Sequence, residues 1–145
     1  MIEIQQLWTK TTLTLVTTQN ITASLTFQPI TPLIGAASDK RGGNAMGLHG
    51  TDPPRIVLEI TFMWTNAALD DQILNLSQSF EQLVQARARE QQGTTSYYPY
   101  YMNDANGDQS VLESYRDAAK FAALQRQMDP QGFFRRTESF KYRAS

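Results

Sequence analysis

Hydrophobic and polar positions follow two different periods along this chain. In residues 2–16, Ile4, Leu7, Trp8 and Leu15 fall at near-helical spacing ahead of the polar cluster Thr17–Asn20. That spacing predicts a short amphipathic helix, weakened by its threonines, whose Cβ branching restricts χ1. Ile21–Gln28 then alternates, with Ile21, Ala23, Leu25 and Phe27 on one side and Thr22, Ser24, Thr26 and Gln28 on the other. This predicts a half-buried strand closed by Pro29, which cannot donate to a ladder. Residues 29–54 are rich in Pro and Gly and keep no period, so they predict a long loop. A connection of that length inside a compact domain is often functional. Arg55–Thr65 predicts a second strand, with Leu58, Ile60, Phe62 and Trp64 on one face and Val57, Glu59, Thr61 and Met63 on the other.

The helical period returns after Asp70-Asp71, either of which can cap a helix running to about Gln91. Its stripe is Ile73, Leu76, Phe80, Leu83 and Val84, with Arg87 and Arg89 where positive charge suits the dipole, and Gly93 as its stop. Ser96–Asn103 reads as an edge strand because Pro99 interrupts it, and Asp104–Gln109 as a loop. A last helix is expected over Val111–Met128, with Leu112, Tyr115, Ala119, Ala122 and Leu124 as its apolar positions, ending before Asp129-Pro130. The order helix, strand, strand, helix, strand, helix predicts an α+β fold: an antiparallel sheet with helices packed on one face, forming a single domain over residues 1–145.

Composition narrows the chemistry. There are no cysteines, which excludes disulfides, thiolate metal sites and cysteine nucleophiles. His49 is the only histidine, so a His-rich metal cage is excluded and no metal site is expected. A net charge of −1 without a clustered basic surface gives no footprint for nucleic acid. No apolar run approaches the ~20 residues a membrane span needs. A soluble, cytoplasmic protein with neither nucleic-acid nor membrane partners is the expectation.

Several segments together carry a resemblance. They are Ala23–Ile30 (ASLTFQPI), Arg41–Leu48 (RGGNAMGL), Ile56–Trp64 (IVLEITFMW), Tyr100–Ala105 (YYMNDA), Asp108–Tyr115 (DQSVLESY), Met128–Phe134 (MDPQGFF) and Ser139–Tyr142 (SFKY). No single one is specific, but in this order and spacing the chain resembles the C-terminal substrate-domain region of fungal FAD-linked oxidoreductases of the berberine-bridge type. The resemblance implies an antiparallel sheet backed by helices, whose open face meets flavin and substrate. It places Tyr101 and Asn103 close to that flavin. The flavin's ADP portion and its covalent anchors belong to a preceding domain of which this sequence carries no trace, and Gly42-Gly43 do not open a helix as a phosphate loop would. Two departures stand out: Arg116 and Glu138-Ser139 occupy places where the resemblance expects glycine. Both fit relaxed constraints around a lost flavin site, so no cofactor is expected.

The open sheet face is then the candidate site. Glu59, with Tyr101 and Asn103, is the expected catalytic group, and Ser24, Thr26, Gln28, Thr61, Met63, Tyr98 and His49 are the expected ligand-binding residues. A carboxylate in a partly apolar cavity acts as general acid or base; the plainer reading of Glu59 is a cross-strand ion pair or hydrogen bond to Ser24 or Thr26. His49 reads first as an exposed loop histidine, Asp104, Asn106 and Asp108 as a turn rather than a calcium loop, and the tyrosines Tyr97–Tyr101 as packing. Two functions follow. One is cofactor-independent cyclisation, isomerisation or pericyclic conversion of an apolar polyketide- or terpenoid-type intermediate. The other is a non-catalytic accessory role, or a C-terminal portion of an FAD-linked oxidoreductase, that forms a homodimer or pairs with a flavoprotein.

Overall fold

The computed structural model describes residues 1–92 and 97–133. It is an α+β fold with an antiparallel sheet and helices. The elements are α1 (Ile2–Thr18), β1 (Thr22–Ile30), α2 (Pro32–Asp39), β2 (Arg55–Met63), α3 (Asp70–Gln92) and α4 (Ala118–Met128), with 3₁₀ turns at Ala67–Leu69, Met102–Asp104 and Leu112–Ser114. Among the described residues the sheet has two strands, β1 and β2. The chain divides into two compact units, Met1–Gln28 with Ile56–Ser96, and Pro29–Arg55 with Tyr97–Ser145.

The first unit follows the predicted pattern closely. Its threonine-rich α1 holds because Thr9, Thr11, Thr12 and Thr17 return their hydroxyls to the carbonyls of Gln5, Leu7, Trp8 and Leu13, one turn earlier. These bonds let Thr12 sit buried beside Trp8 and Leu15 without an unmet polar group. Asn20, with φ of 53°, breaks the helix in the left-handed region that asparagine tolerates. The core joins Leu15, Ile21 and Ile73, with Phe62, Trp64, Leu69 and Leu76 against it. Trp8 packs on Phe62 and Phe80, with ring centroids 5.3 and 5.1 Å apart. Helices α1 and α3 therefore cover the sheet face that carries Phe62. Of the predicted α3 stripe, Ile73 and Phe80 are buried, whereas Leu83 is exposed.

Two boundaries in this unit move. Strand β1 does not stop at Pro29 but runs to Ile30, which an edge strand permits because its outer N–H positions need no partner. The cap before α3 is Asn66, whose side chain accepts from the Ala68 N–H and opens a 3₁₀ turn. Asp70 instead receives the Trp64 indole N–H at 2.6 Å.

The second unit departs further. The expected loop over residues 29–54 contains α2, with Thr31 before it and Pro32 in its first turn. Proline there costs no hydrogen bond and presets φ, a start signal that eight residues without visible period conceal. The expected strand over Ser96–Asn103 is not formed from Tyr97 on: Tyr97–Tyr101 is irregular and leads into the 3₁₀ turn at Met102. Tyr100 N–H goes to the Ser114 hydroxyl at 3.0 Å rather than to a neighbouring strand. The last helix begins at Ala118, not Val111. Val111 and Tyr115 are the buried anchors of the preceding 3₁₀ turn. Gly132, at φ of 67°, follows α4 as expected of a helix stop. The stop expected at Gly93 and the tail beyond Phe133 lie outside the described residues.

Candidate functional site

The residues expected to form the site divide between the two units. In the first, Gln28, Glu59 and Thr61 come together: the Gln28 amide donates to one Glu59 oxygen at 3.3 Å and the Thr61 hydroxyl to the other at 3.2 Å. All three are half-buried, whereas Ser24, Thr26 and Met63 are exposed. The cross-strand partner of Glu59 is Gln28, not Ser24 or Thr26 as expected. In the second unit the Asn103 amide donates to the Tyr101 hydroxyl at 3.0 Å. Tyr98 is exposed in the same segment. His49 is half-exposed, and its Nδ1 lies 2.8 Å from an Asp39 oxygen.

Around that histidine the second unit builds a polar knot. The turn Arg41–Leu48 is organised by Asn44, whose amide donates to the Ser38 hydroxyl and the Leu48 carbonyl, both at 2.8 Å, while its carbonyl accepts from the Leu48 N–H. Asp39 at the end of α2 accepts the Gly50 N–H at 2.8 Å, which with His49 holds its carboxyl below the ordinary range. Asp52 accepts the His49 N–H at 2.9 Å and both arms of Arg116, at 2.9 and 2.7 Å. Arg55 adds a second cation at 3.3 Å. The Arg116 fork, more than any other contact, holds the Asp52 carboxyl far below the usual carboxylate range. Arg116 also donates to the Gly47 carbonyl and lies 4.1 Å over the ring of Tyr97. The Tyr97 hydroxyl donates to the Met46 carbonyl and accepts the Arg116 N–H at 3.1 Å. Burial pushes that phenol up.

Against this braced loop lies an open cleft of about 350 Å³. Met102, Leu112, Tyr115, Phe121, Leu124 and Met128 line it with Ala45, Gln125 and Asp129, and nearly all of the lining surface is apolar. Phe121, Leu124 and Met128 fall at i, i+3 and i+7 on one face of α4. The volume is at the small end for a ligand pocket, and its apolar lining is typical of one. Sequence reasoning identified Leu112, Tyr115 and Leu124 as apolar positions of a helix. It missed that they would border a cleft, because periodicity alone does not distinguish a core stripe from a cavity wall.

A flavin fit can be tested at the glycine pair. Gly42 and Gly43 have φ of 95° and 96°. Their N–H groups donate back to the Asp39 and Ser38 carbonyls at 3.2 and 2.9 Å. They close the C-terminal end of α2 and are not free to cradle a pyrophosphate, which needs N–H groups pointing outward at a helix N-terminus. Gly42 and Gly43 thus do not offer a cradle for the phosphate end of FAD. Nor do any three His, Cys, Asp or Glu side chains among them form a metal-holding group. No helix among them is long and apolar enough to cross a membrane.

Comparison with known proteins shows what this sequence is similar to. The chain is 34% identical over 118 residues to the FAD-dependent monooxygenase AOL_s00215g279 of Arthrobotrys oligospora, an alignment covering 79% of this chain and 22% of that protein. It is 32% identical over 119 residues to the FAD-dependent monooxygenase tpcD of Cochliobolus heterostrophus, covering 80% of this chain and 22% of that protein. A third relative, the FAD-dependent monooxygenase sdcF of Emericella nidulans, is 30% identical over 112 residues, covering 75% and 23%. The chain therefore spans about a fifth of the length of the curated relatives it matches. No family model and no solved structure matches it.

Proposed function

We propose that this chain is the substrate-side portion of a fungal FAD-dependent monooxygenase of the berberine-bridge type, acting in secondary metabolism on an apolar substrate. The observation that carries this reading is the pairing, in one unit, of an apolar cleft with a glycine turn whose N–H groups are already spent on α2. Such a chain offers a surface for a hydrophobic molecule and leaves flavin phosphates to residues it does not contain. The polar knot keeps the 41–55 loop in place beside the cleft residue Ala45.

A chimera tests the proposal: this chain replaces the matching segment of the Arthrobotrys relative, and flavin content and steady-state turnover are measured. The expected result is full flavin occupancy, turnover of an apolar substrate, and a raised KM in the Leu124→Asp form with flavin content unchanged. A flavin-loaded chimera whose KM is indifferent to Leu124→Asp overturns it.

A second reading is favoured by Glu59, whose two oxygens are held by Gln28 and Thr61 in a half-buried setting. A fixed carboxylate of this kind serves cofactor-independent cyclisation or isomerisation of a polyketide- or terpenoid-type intermediate as a positioned acid or base. Under this reading the isolated chain has activity that Glu59→Gln abolishes. Under the first it has none.

A further inference from the structure

Asn106 stands apart from the polar knot and the cleft lining. The chain's asparagines are Asn20, Asn44, Asn66, Asn75, Asn103 and Asn106, and only Asn106 is followed by glycine. Both Asn106 and Gly107 are exposed. The Gly107 N–H donates to the Asn106 Oδ1 at 2.9 Å, which holds that nitrogen beside the side-chain amide of the preceding residue. The turn is pinned on both sides of that pair. Asn106 N–H donates to the Gln109 side chain at 2.9 Å, and Gln109 N–H returns to the Asn106 carbonyl at 3.0 Å.

We propose that Asn106 is a site of spontaneous backbone-assisted deamidation. The deprotonated Gly107 nitrogen attacks Asn106 Cγ, a nitrogen–carbon bond forms, and the side-chain nitrogen leaves as ammonia. Water then opens the five-membered imide at either carbonyl, giving aspartate or isoaspartate, with no oxidant or reductant needed. Glycine suits the step because no Cβ screens its nitrogen, and a nearby attacking atom in a fixed turn lowers the entropic cost of reaching the carbonyl. Asparagine is among the thermally labile side chains for this reason. The product takes the formal charge from −1 to −2, one carboxylate added, beside Asp104 and Asp108. Isoaspartate also lengthens the backbone inside the Asn106–Gln109 turn, two residues beyond the 3₁₀ turn that carries the cleft residue Met102.

The test is incubation of the purified chain at mildly alkaline pH, both native and in urea, followed by peptide mapping. Electron-transfer fragmentation separates Asn106 from Asn103, and an isoaspartyl methyltransferase assay gives an independent readout. The expected result is aspartate and isoaspartate at Asn106, appearing several-fold faster than at Asn103 and at least as fast in the native chain as in urea. Gly107→Ala is expected to slow it several-fold; an added Cβ there meets nothing within 4 Å, so the variant folds. Asn106 intact in the native chain while it converts in urea, or conversion unchanged by Gly107→Ala, overturns the proposal.

Discussion

Arg116 grips Asp52 through both guanidinium nitrogens, at 2.9 and 2.7 Å, across 64 residues of sequence. This fork ties the 40–55 loop to the segment before α4. Its Asp52 end is nearly buried, with the carboxylate side chain only 12% exposed, so solvent screens it less than a surface pair. Arg116→Ala is expected to cost about 1.5–3 kcal/mol, the range for hydrogen bonds to charged groups. Arg116→Lys keeps the charge but loses the fork and should cost less. Both tryptophans, Trp8 and Trp64, lie in the other unit. The loss is therefore best read by hydrogen exchange at the His49 and Gly50 amides, which protect only while the loop is held.

The same pair sets an acid limit. The Arg116 fork on Asp52 and the Gly50 N–H and His49 on Asp39 hold both carboxyls below the ordinary carboxylate range in the folded chain. A depressed folded pKa contributes stability that is present above the unfolded value and is lost as pH falls toward the folded one. The second unit should accordingly hold its stability down to about pH 4 and lose it progressively below. Near-UV circular dichroism of its tyrosines follows this. Asp52→Asn should flatten the acid slope while lowering stability at neutral pH.

How far the sequence foretold these features depended on where each constraint originates. Strand alternation at Thr22–Phe27 and the α3 positions Ile73 and Phe80 were legible because burial there repeats with the backbone's own period. Helix α2 was not, since eight residues bearing one buried glycine show no stripe. Tyr97–Tyr101 misled: aromatic, β-prone residues were set in irregular chain by Tyr97's bonds to Met46 and Arg116, partners 51 and 19 residues distant. Arg116 was visible as a departure from glycine, but its partner was not, because nothing local joins position 116 to position 52. Of the expected site, Glu59's cross-strand partner proved to be Gln28 rather than Ser24 or Thr26, and the cleft on α4 was not foreseen.

Phe80 is 2% exposed and meets Trp8 edge-on at 5.1 Å. Truncation to alanine removes the ring and leaves a cavity that α1, α3 and the sheet close only in part. Phe80→Ala should destabilise the first unit by about 3–5 kcal/mol. Leu83, one turn on but 36% exposed, should cost well under half as much on the same change. Urea unfolding followed by tryptophan fluorescence checks both, since Trp8 reports directly on the Phe80 contact. Equal losses at the two positions would show that α3 buries a different face.

Gly35 makes the sharpest steric prediction. It is the buried residue of α2, and a Cβ built on it meets the carbonyl carbon and oxygen of His49 and the Gly50 nitrogen, all backbone atoms. Backbone cannot rotate aside as a flexible side chain does, so the helix and the loop must separate. Alanine would otherwise favour the helix, by about 1 kcal/mol over glycine. The clash should outweigh that gain, with a net cost of about 1–3 kcal/mol as for other overpacked positions. Separation would also stretch the contacts of Asp39 with His49 and Gly50, at 2.8 Å each. Gly35→Ala is therefore expected to raise the carboxyl pKa of Asp39 toward its ordinary value, which carbon-13 NMR titration of the carboxyl resolves. A stabilised variant with an unchanged Asp39 titration would mean that the loop does not rest on α2 in solution.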